Sequence, residues 1–269
     1  MAIFSTPLSA IQYPEFTTHK HYVAYMRRVS DSVSLKSSPL PLTGFSLSQT
    51  AKRKLRLIQM TAKNLHMEHQ MVMSSPEFAE AAMSWTPVKT YYLLFNMVLL
   101  IEYLISTDSR SLTATHSNAL KKFRGLIESG TVTFNSSELN EVHSGAAIEK
   151  MRVLKSDNLR AGSASRKEQI LRKLLDYAKD EERRKTNVKK LRKQQMIRLH
   201  GYKFCLFDLF YWYRIKVNYR DLEFMTAGIP SREFEAFYKD YYKLTGNFFL
   251  ALKNCLNDIA VAHGIGKVI

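Results

Sequence analysis

The stretch YYLLFNMVLLIEYLIS, residues 91–106, decides the fold of this chain. It falls short of the ~20 apolar residues that a bilayer crossing needs. It also carries Asn96 and Glu102, which hydrocarbon would penalise. These features predict a helix at the centre of a protein core. Thr86-Pro87 ahead of it supplies the start, because proline at the first helical position gives up no hydrogen bond.

Working outward from that helix, more helices come into view on both sides. Ser46 reads as the N-cap of one running to about Met73, with Leu55, Ile58, Met60, Ala62 and Leu65 on its apolar face. Ser75-Pro76-Glu77 opens a short one. Further upstream, HKHYVAYMRRV (residues 19–29) has the pattern of a short helix, and residues 30–44 have the Ser/Pro/Gly content of a loop. Downstream, Thr107-Asp108-Ser109 breaks the central helix, and Thr113 or Thr115 caps another through Phe123 and Ile127 to a C′ glycine, Gly130. An extended piece, Thr131 to Phe134, leads to a helix near residues 136–143, and LKSDNLRAGSAS (residues 154–165) is the clearest linker. A long charged helix is expected over residues 166–199, with a thin stripe of Ile170, Leu174, Tyr177, Val188 and Leu191. FCLFDLFYWY, residues 204–213, begins a second buried helix, and two last helices follow over 231–242 and 245–263.

Composition narrows the class. Only 10 glycines and 7 prolines in 269 residues suit helices better than a sheet sandwich with its frequent turns. Apolar residues at 45% and aromatics at 12% exclude wholesale disorder. Two cysteines, Cys205 and Cys255, both in apolar runs, are too few for a disulfide scaffold or a zinc site and read as buried thiols. The chain's start lacks a basic segment followed by an apolar run, so a cytoplasmic protein with no membrane association is expected. No cofactor or metal signature stands out; His66 and His69 share a helical spacing but read as surface or core histidines. The aromatic clusters around residues 204–213 and 237–242 read as core.

Charge is the strongest bulk signal. The formal net charge is +16, an excess that favours polyanionic partners. Residues 150–200 carry seventeen Lys/Arg against six Asp/Glu, so about two thirds of the excess lies there. Within it, Arg183, Arg184, Lys185, Lys189, Lys190, Arg192, Lys193 and Arg198 are the candidate nucleic-acid contacts. On one continuous helix, residues 185, 189, 192 and 193 fall near a common face, where arrayed cations would release counterions from a phosphate backbone.

Two separate stretches resemble a known family. PVKTYYLLFNMVLLIEYLIS followed by THSNALKKFRGLIESG resembles the bacterial HEPN domains, in Tyr91, Tyr92, Phe95, Thr115, His116, Phe123 and Gly130. YRIKVNYRD, residues 213–221, resembles the family's later element, in which an Arg precedes an Asn-Tyr pair. The resemblance covers residues 87–145 and 200–260 and makes the basic segment between them an insertion. It implies an RNA- or nucleotide-directed site built on Arg214, with Asn218 and Tyr219 beside it. RNA-cleaving members use a histidine near the Arg; here Tyr219 stands in that place, and a phenol with a pKa near ~10 is a poor base at pH 7. His116 is expected to cap or pack, with a share in the phosphate site as the other possibility; His200 is a second potential proton-transfer group.

The sequence is therefore read as all-α: a HEPN-like antiparallel helical bundle with a long basic helical insertion. Residues 1–45 form an N-terminal segment, 46–150 and 200–269 the two halves of the core, and 151–199 the insertion. The helices at 91–105 and 204–217 should bury their faces against each other. The expected function is binding of RNA or a nucleotide in a bacterial toxin–antitoxin or antiviral defence system, by a homodimer or a subunit of a larger complex. Two alternatives stand beside it, a metal-independent endoribonuclease toxin and a non-enzymatic subunit of a nucleoprotein effector.

Overall fold

In the computed structural model, which describes residues 14–38, 45–151, 163–188, 190–219 and 231–269, the apolar stretch is the axis of an all-α protein. Eleven helices make up the described structure: α1 (Pro14–Ser30), α2 (Gln49–Ser74), α3 (Phe78–Met83), α4 (Thr86–Ser106), α5 (His116–Glu128), α6 (Ser137–Asn140), α7 (Gly145–Lys150), α8 (Ser163–Thr186), α9 (Lys193–Gly201), α10 (Asp208–Tyr219) and α11 (Ser231–Ala262). A 3₁₀ turn, Ser109–Thr113, joins α4 to α5.

Helix α4 is buried along 17 of its 21 residues, so other helices must surround it. α2, α5, α10 and α11 do so, and α1 packs along the outer side of α11. The helix is long and apolar enough to cross a membrane, but its surface is spent on these neighbours. It ends where Thr107 takes a left-handed conformation (φ 55°) and returns its amide to the Tyr103 carbonyl. The expected burial of residues 91–105 against 204–217 holds, as α10 lies directly on α4.

Two short antiparallel ribbons staple distant parts of the chain. β1 (Leu35–Ser37) pairs with β2 (Val132–Phe134), Leu35 opposite Phe134. β3 (His143–Ser144) pairs with β4 (Lys203–Phe204), His143 opposite Phe204. Beside the second ribbon, the Gly145 amide donates to the Tyr202 carbonyl, and a Cβ at Gly145 would lie 2.2 Å from the Leu199 carbonyl oxygen. Only glycine lets α7 come this close to α9.

Several elements differ from expectation: Ser48 rather than Ser46 caps α2, the helix expected to His143 ends at Asn140 with His143 in β3, α7 is additional, and two longer helices depart further. The basic helix expected over 166–199 is two. Asn187 takes a left-handed turn (φ 50°), the Val188 amide bonds back to the Arg183 carbonyl, and α9 starts afresh where the Gln195 side chain accepts from the Arg192 amide. Lys185, Arg192 and Lys193 therefore do not share one helix face, and Lys189 lies outside the described residues. Conversely, the two terminal helices are one, α11. Its buried stripe (Tyr241, Leu244, Phe248, Leu252) runs unbroken past Gly246, and the Thr245 hydroxyl is absorbed by the Tyr241 carbonyl and by Thr90 of α4. The thin stripe of α8 is also more than a surface feature. Ile170, Leu171, Leu174 and Leu175 are buried in the same apolar cluster as α4 and α10.

Candidate phosphate site

Arg214 lies half-buried in the middle of α10, the helix that packs on α4. Its terminal nitrogen Nη2 donates to the Tyr92 hydroxyl at 3.0 Å. The guanidinium lies 5.2 Å from the Tyr92 ring centre, 5.5 Å from Tyr91 and 6.0 Å from Tyr211. Three aromatic faces thus hold the cation in place through their ring quadrupoles. No carboxylate pairs with it among the described residues, and its Nε is buried without a hydrogen-bond partner there. A guanidinium held by aromatic rings, with no carboxylate among the described residues, is suited to an anionic ligand.

Helix α5 delivers His116 to the same place. Thr115 precedes it in an extended conformation, so the imidazole is presented from the first residue of the helix. Its Nδ1 is 2.8 Å from the Tyr91 hydroxyl, and its ring lies 4.5 Å from Phe95 and 5.8 Å from Tyr92. Burial, and then the positive charge of Arg214, lower the imidazole below its usual range, so it is neutral at pH 7. Burial pushes the Tyr91 hydroxyl up, which keeps it a neutral hydrogen-bonding group. On the other side of Tyr92, Lys54 of α2 donates to Asn96 at 3.0 Å, and burial lowers its ammonium below the usual range.

The wall formed by His116 and Tyr211 has a second face. Behind it lies a cavity of about 280 Å³ lined by Leu120, Leu174, Tyr177, Phe204 and Trp212. Its polar floor is the ion pair of Arg124 with Asp208, 2.5 Å apart, and Lys185 and Lys203 stand at its rim. Burial raises the Asp208 carboxyl, with Arg124 and the Cys205 amide acting against it. Next to this cavity, a groove of about 580 Å³ runs past Ser117, Lys121, Arg124, Arg198 and Lys203.

The residues singled out from the sequence fare unequally. Tyr91, Tyr92, Phe95, His116 and Arg214 come together although they span two separate motifs. Asn218 and Tyr219 continue the backbone of α10, but their side chains lie outside the described residues. His200 is elsewhere, 2.6 Å from Glu149, which also binds Lys179. His69 stacks on Tyr242 at 3.8 Å, and no cluster of metal-ligating side chains exists among the described residues.

Of the basic run, Arg183 is paired with Asp180, Lys185 with Glu181 and Arg198 with Glu182. Arg184, Lys190, Arg192 and Lys193 are exposed. Lys185 and Arg198 border the cavity and the groove, as do Lys203 and Lys121, which lie outside the dense charge run and are not among the sequence candidates. The one available signal was the Lys121-Lys122 pair on the helix that begins at His116.

Compared with models of protein families, with curated proteins and with solved structures, the chain matches none.

Proposed function

We propose that this chain binds RNA or a nucleotide in the cytoplasm, with a phosphate held by Arg214 and a base stacked in the aromatic cavity behind His116. The observation that carries the reading is the guanidinium of Arg214: clamped by three tyrosines and without a carboxylate partner among the described residues. A planar guanidinium fork matches the oxygens of a phosphate in a bidentate contact. The cavity supports it with rings for stacking and cations at the rim, and the basic surface of Lys121, Lys203 and Arg198 would carry a backbone past it. The resemblance to HEPN domains agrees with this and adds a setting, a bacterial toxin–antitoxin or antiviral defence system.

Fluorescence anisotropy with a labelled single-stranded RNA tests the reading. Wild-type protein should bind with strong salt dependence, and Arg214→Ala should bind far more weakly while folding normally. Equal binding by the two would end it.

A second reading, metal-independent RNA cleavage, is favoured by one observation. His116 and Arg214 both contact the Tyr91 ring, which brings an imidazole near the guanidinium although no histidine follows Arg214 in sequence. A neutral imidazole beside a phosphate can take the proton of a ribose 2′-hydroxyl, whose oxygen then attacks the adjacent phosphorus as the 5′-oxygen leaves with a proton from water. Incubation with total RNA decides it: cleavage lost in both His116→Ala and Arg214→Ala supports it, and intact RNA removes it.

A further inference from the structure

Helix α2 has two apolar faces, and the fold uses one. Ala51, Leu55, Ile58, Leu65 and Val72 are buried toward the core. On the opposite side, Leu57, Met60, Met67 and Met71 are 48%, 64%, 54% and 54% exposed. Single exposed apolar residues are ordinary, but these are aligned. With Asn64 they form the series 57, 60, 64, 67, 71, spaced by three and four residues in alternation, the seam of a helix built to pair with another helix.

The surface around the seam differs between its two ends. Beside the N-terminal part stand Lys52, Arg53, Arg56 and Lys63; beyond the C-terminal end stand Glu77 and Glu80. All six are exposed, and none makes an ion pair among the described residues. The C-terminal half also opens into a groove of about 320 Å³, lined by Asn64, Met67, Met71, Val72 and Phe78. One half of the surface thus offers protruding Leu57 and Met60 among cations, the other a methionine-lined groove beside carboxylates.

The geometry points to a second copy of this chain as the occupant, docked with its α2 antiparallel to the first. Asn64 lies at the midpoint of the seam, so a two-fold axis there sets Leu57 against Met71, Met60 against Met67, and Asn64 against itself. The same rotation carries Lys52 and Arg53 of each copy to the Glu77 end of the other. A parallel pair would instead stack each cation on its own copy. An interface in which residue i meets j and j meets i is what two-fold symmetry requires. The Asn64 amides, each with a donor and an acceptor, would bond across the axis and fix the register, as a lone polar residue in an apolar seam does. Unbranched methionines fill such a seam without exact shape matching. This inference does not rest on the RNA reading, since no residue of the seam belongs to the Arg214 site.

Sedimentation velocity of the full chain over a range of concentrations tests it. Wild-type protein is expected to be a dimer, and Met60→Glu with Met67→Glu a monomer of unchanged helicity and unfolding midpoint. Arg53→Glu with Arg56→Glu should weaken association roughly tenfold. Adding Glu77→Lys and Glu80→Lys should restore it, which a parallel pair would not do. Asn64→Cys should give a disulfide-linked dimer on mild oxidation, Cys205 and Cys255 being buried. A wild-type monomer would overturn the inference. So would a dimer that survives the two methionine substitutions and does not crosslink through residue 64, because it would use another face.

Discussion

Arg124 reaches α10 from α5 and Arg214 belongs to α10, and the fold treats them in opposite ways. Arg124, from α5, is 7% exposed and closes on Asp208 at the start of the helix. Arg214, farther along it, is half-buried and rests on tyrosine faces with no acid opposite among the described residues. The first charge is consumed by the structure. Removing either partner of such a pair strands the other in a low dielectric, so its role is to hold α5, β4 and α10 together. The second charge is positioned without an ion-pair partner among the described residues, which is what the proposed phosphate site requires. What separates the two arginines most sharply is the carboxylate that faces Arg124 and that Arg214 lacks among the described residues.

The contrast can be broken in four ways, taken from the largest effect to the smallest. Arg124→Ala should cost about 3–5 kcal/mol in urea-induced unfolding. A loss below about 1 kcal/mol would mean that the pair is not what anchors α10. Arg214→Ala should leave stability within about 1 kcal/mol yet lower RNA affinity by about tenfold to a hundredfold, the worth of charge-assisted hydrogen bonds. If it unfolds the protein instead, the two arginines are alike.

The basic segment permits the same comparison on the surface. Reversing Arg184, Lys190, Arg192 and Lys193 to Glu should flatten the log–log salt dependence of RNA binding by about 0.7 for each cation that touches phosphate. The same change at Arg183, Lys185 and Arg198, already paired with acids, should flatten it less. Equal slopes would show that surface pairing does not withdraw a charge from binding.

The smallest effect is read at His116. Its imidazole is lowered by burial and by Arg214, so in Arg214→Ala its NMR titration midpoint should move upward. The sign follows from linkage. With the folded pKa below the unfolded value of about 6.5, the stability contribution is complete above that pH. It is lost as pH falls through the folded pKa, because the unfolded chain takes up the proton first. The variant should show a shallower loss on acidification; an unmoved midpoint would place Arg214 too far away to act on the histidine.

How much of this was legible in the sequence depended on what each signal measures. The central helix was plain because an apolar run of that length has one place to go, and its start at Thr86-Pro87 was equally plain. The break after Thr186 was not. Lysine and arginine carry good helix propensity, and nothing in residues 187–192 except a single asparagine announces a left-handed turn. The continuity of α11 was hidden for the opposite reason, since Gly246 argues locally for a break and the buried stripe on both sides overrules it. Arg214 could be picked out from its motif, but its meeting with His116 could not, because 98 positions separate them and the packing of α4, α5 and α10 brings them together. The dense charge run yields two basic residues that border the cavity and groove, Lys185 and Arg198, whereas Lys203 and Lys121 stand outside it and carry no such signal.

The two cysteines give the molecule a chemical record of how it opens. Cys205 lies in the turn that feeds α10, its amide bonded to Asp208, while Cys255 lies on the buried stripe of α11. Burial pushes the Cys255 thiol up to about 12 and Cys205 higher still, so neither presents a reactive thiolate while the protein is closed. Alkylation of either then clocks an opening of its own neighbourhood. Modification of Cys205 well ahead of Cys255 would show the α5–α10 junction yielding as a unit of its own while α11 stays shut. Simultaneous modification would make the whole helical array a single cooperative unit.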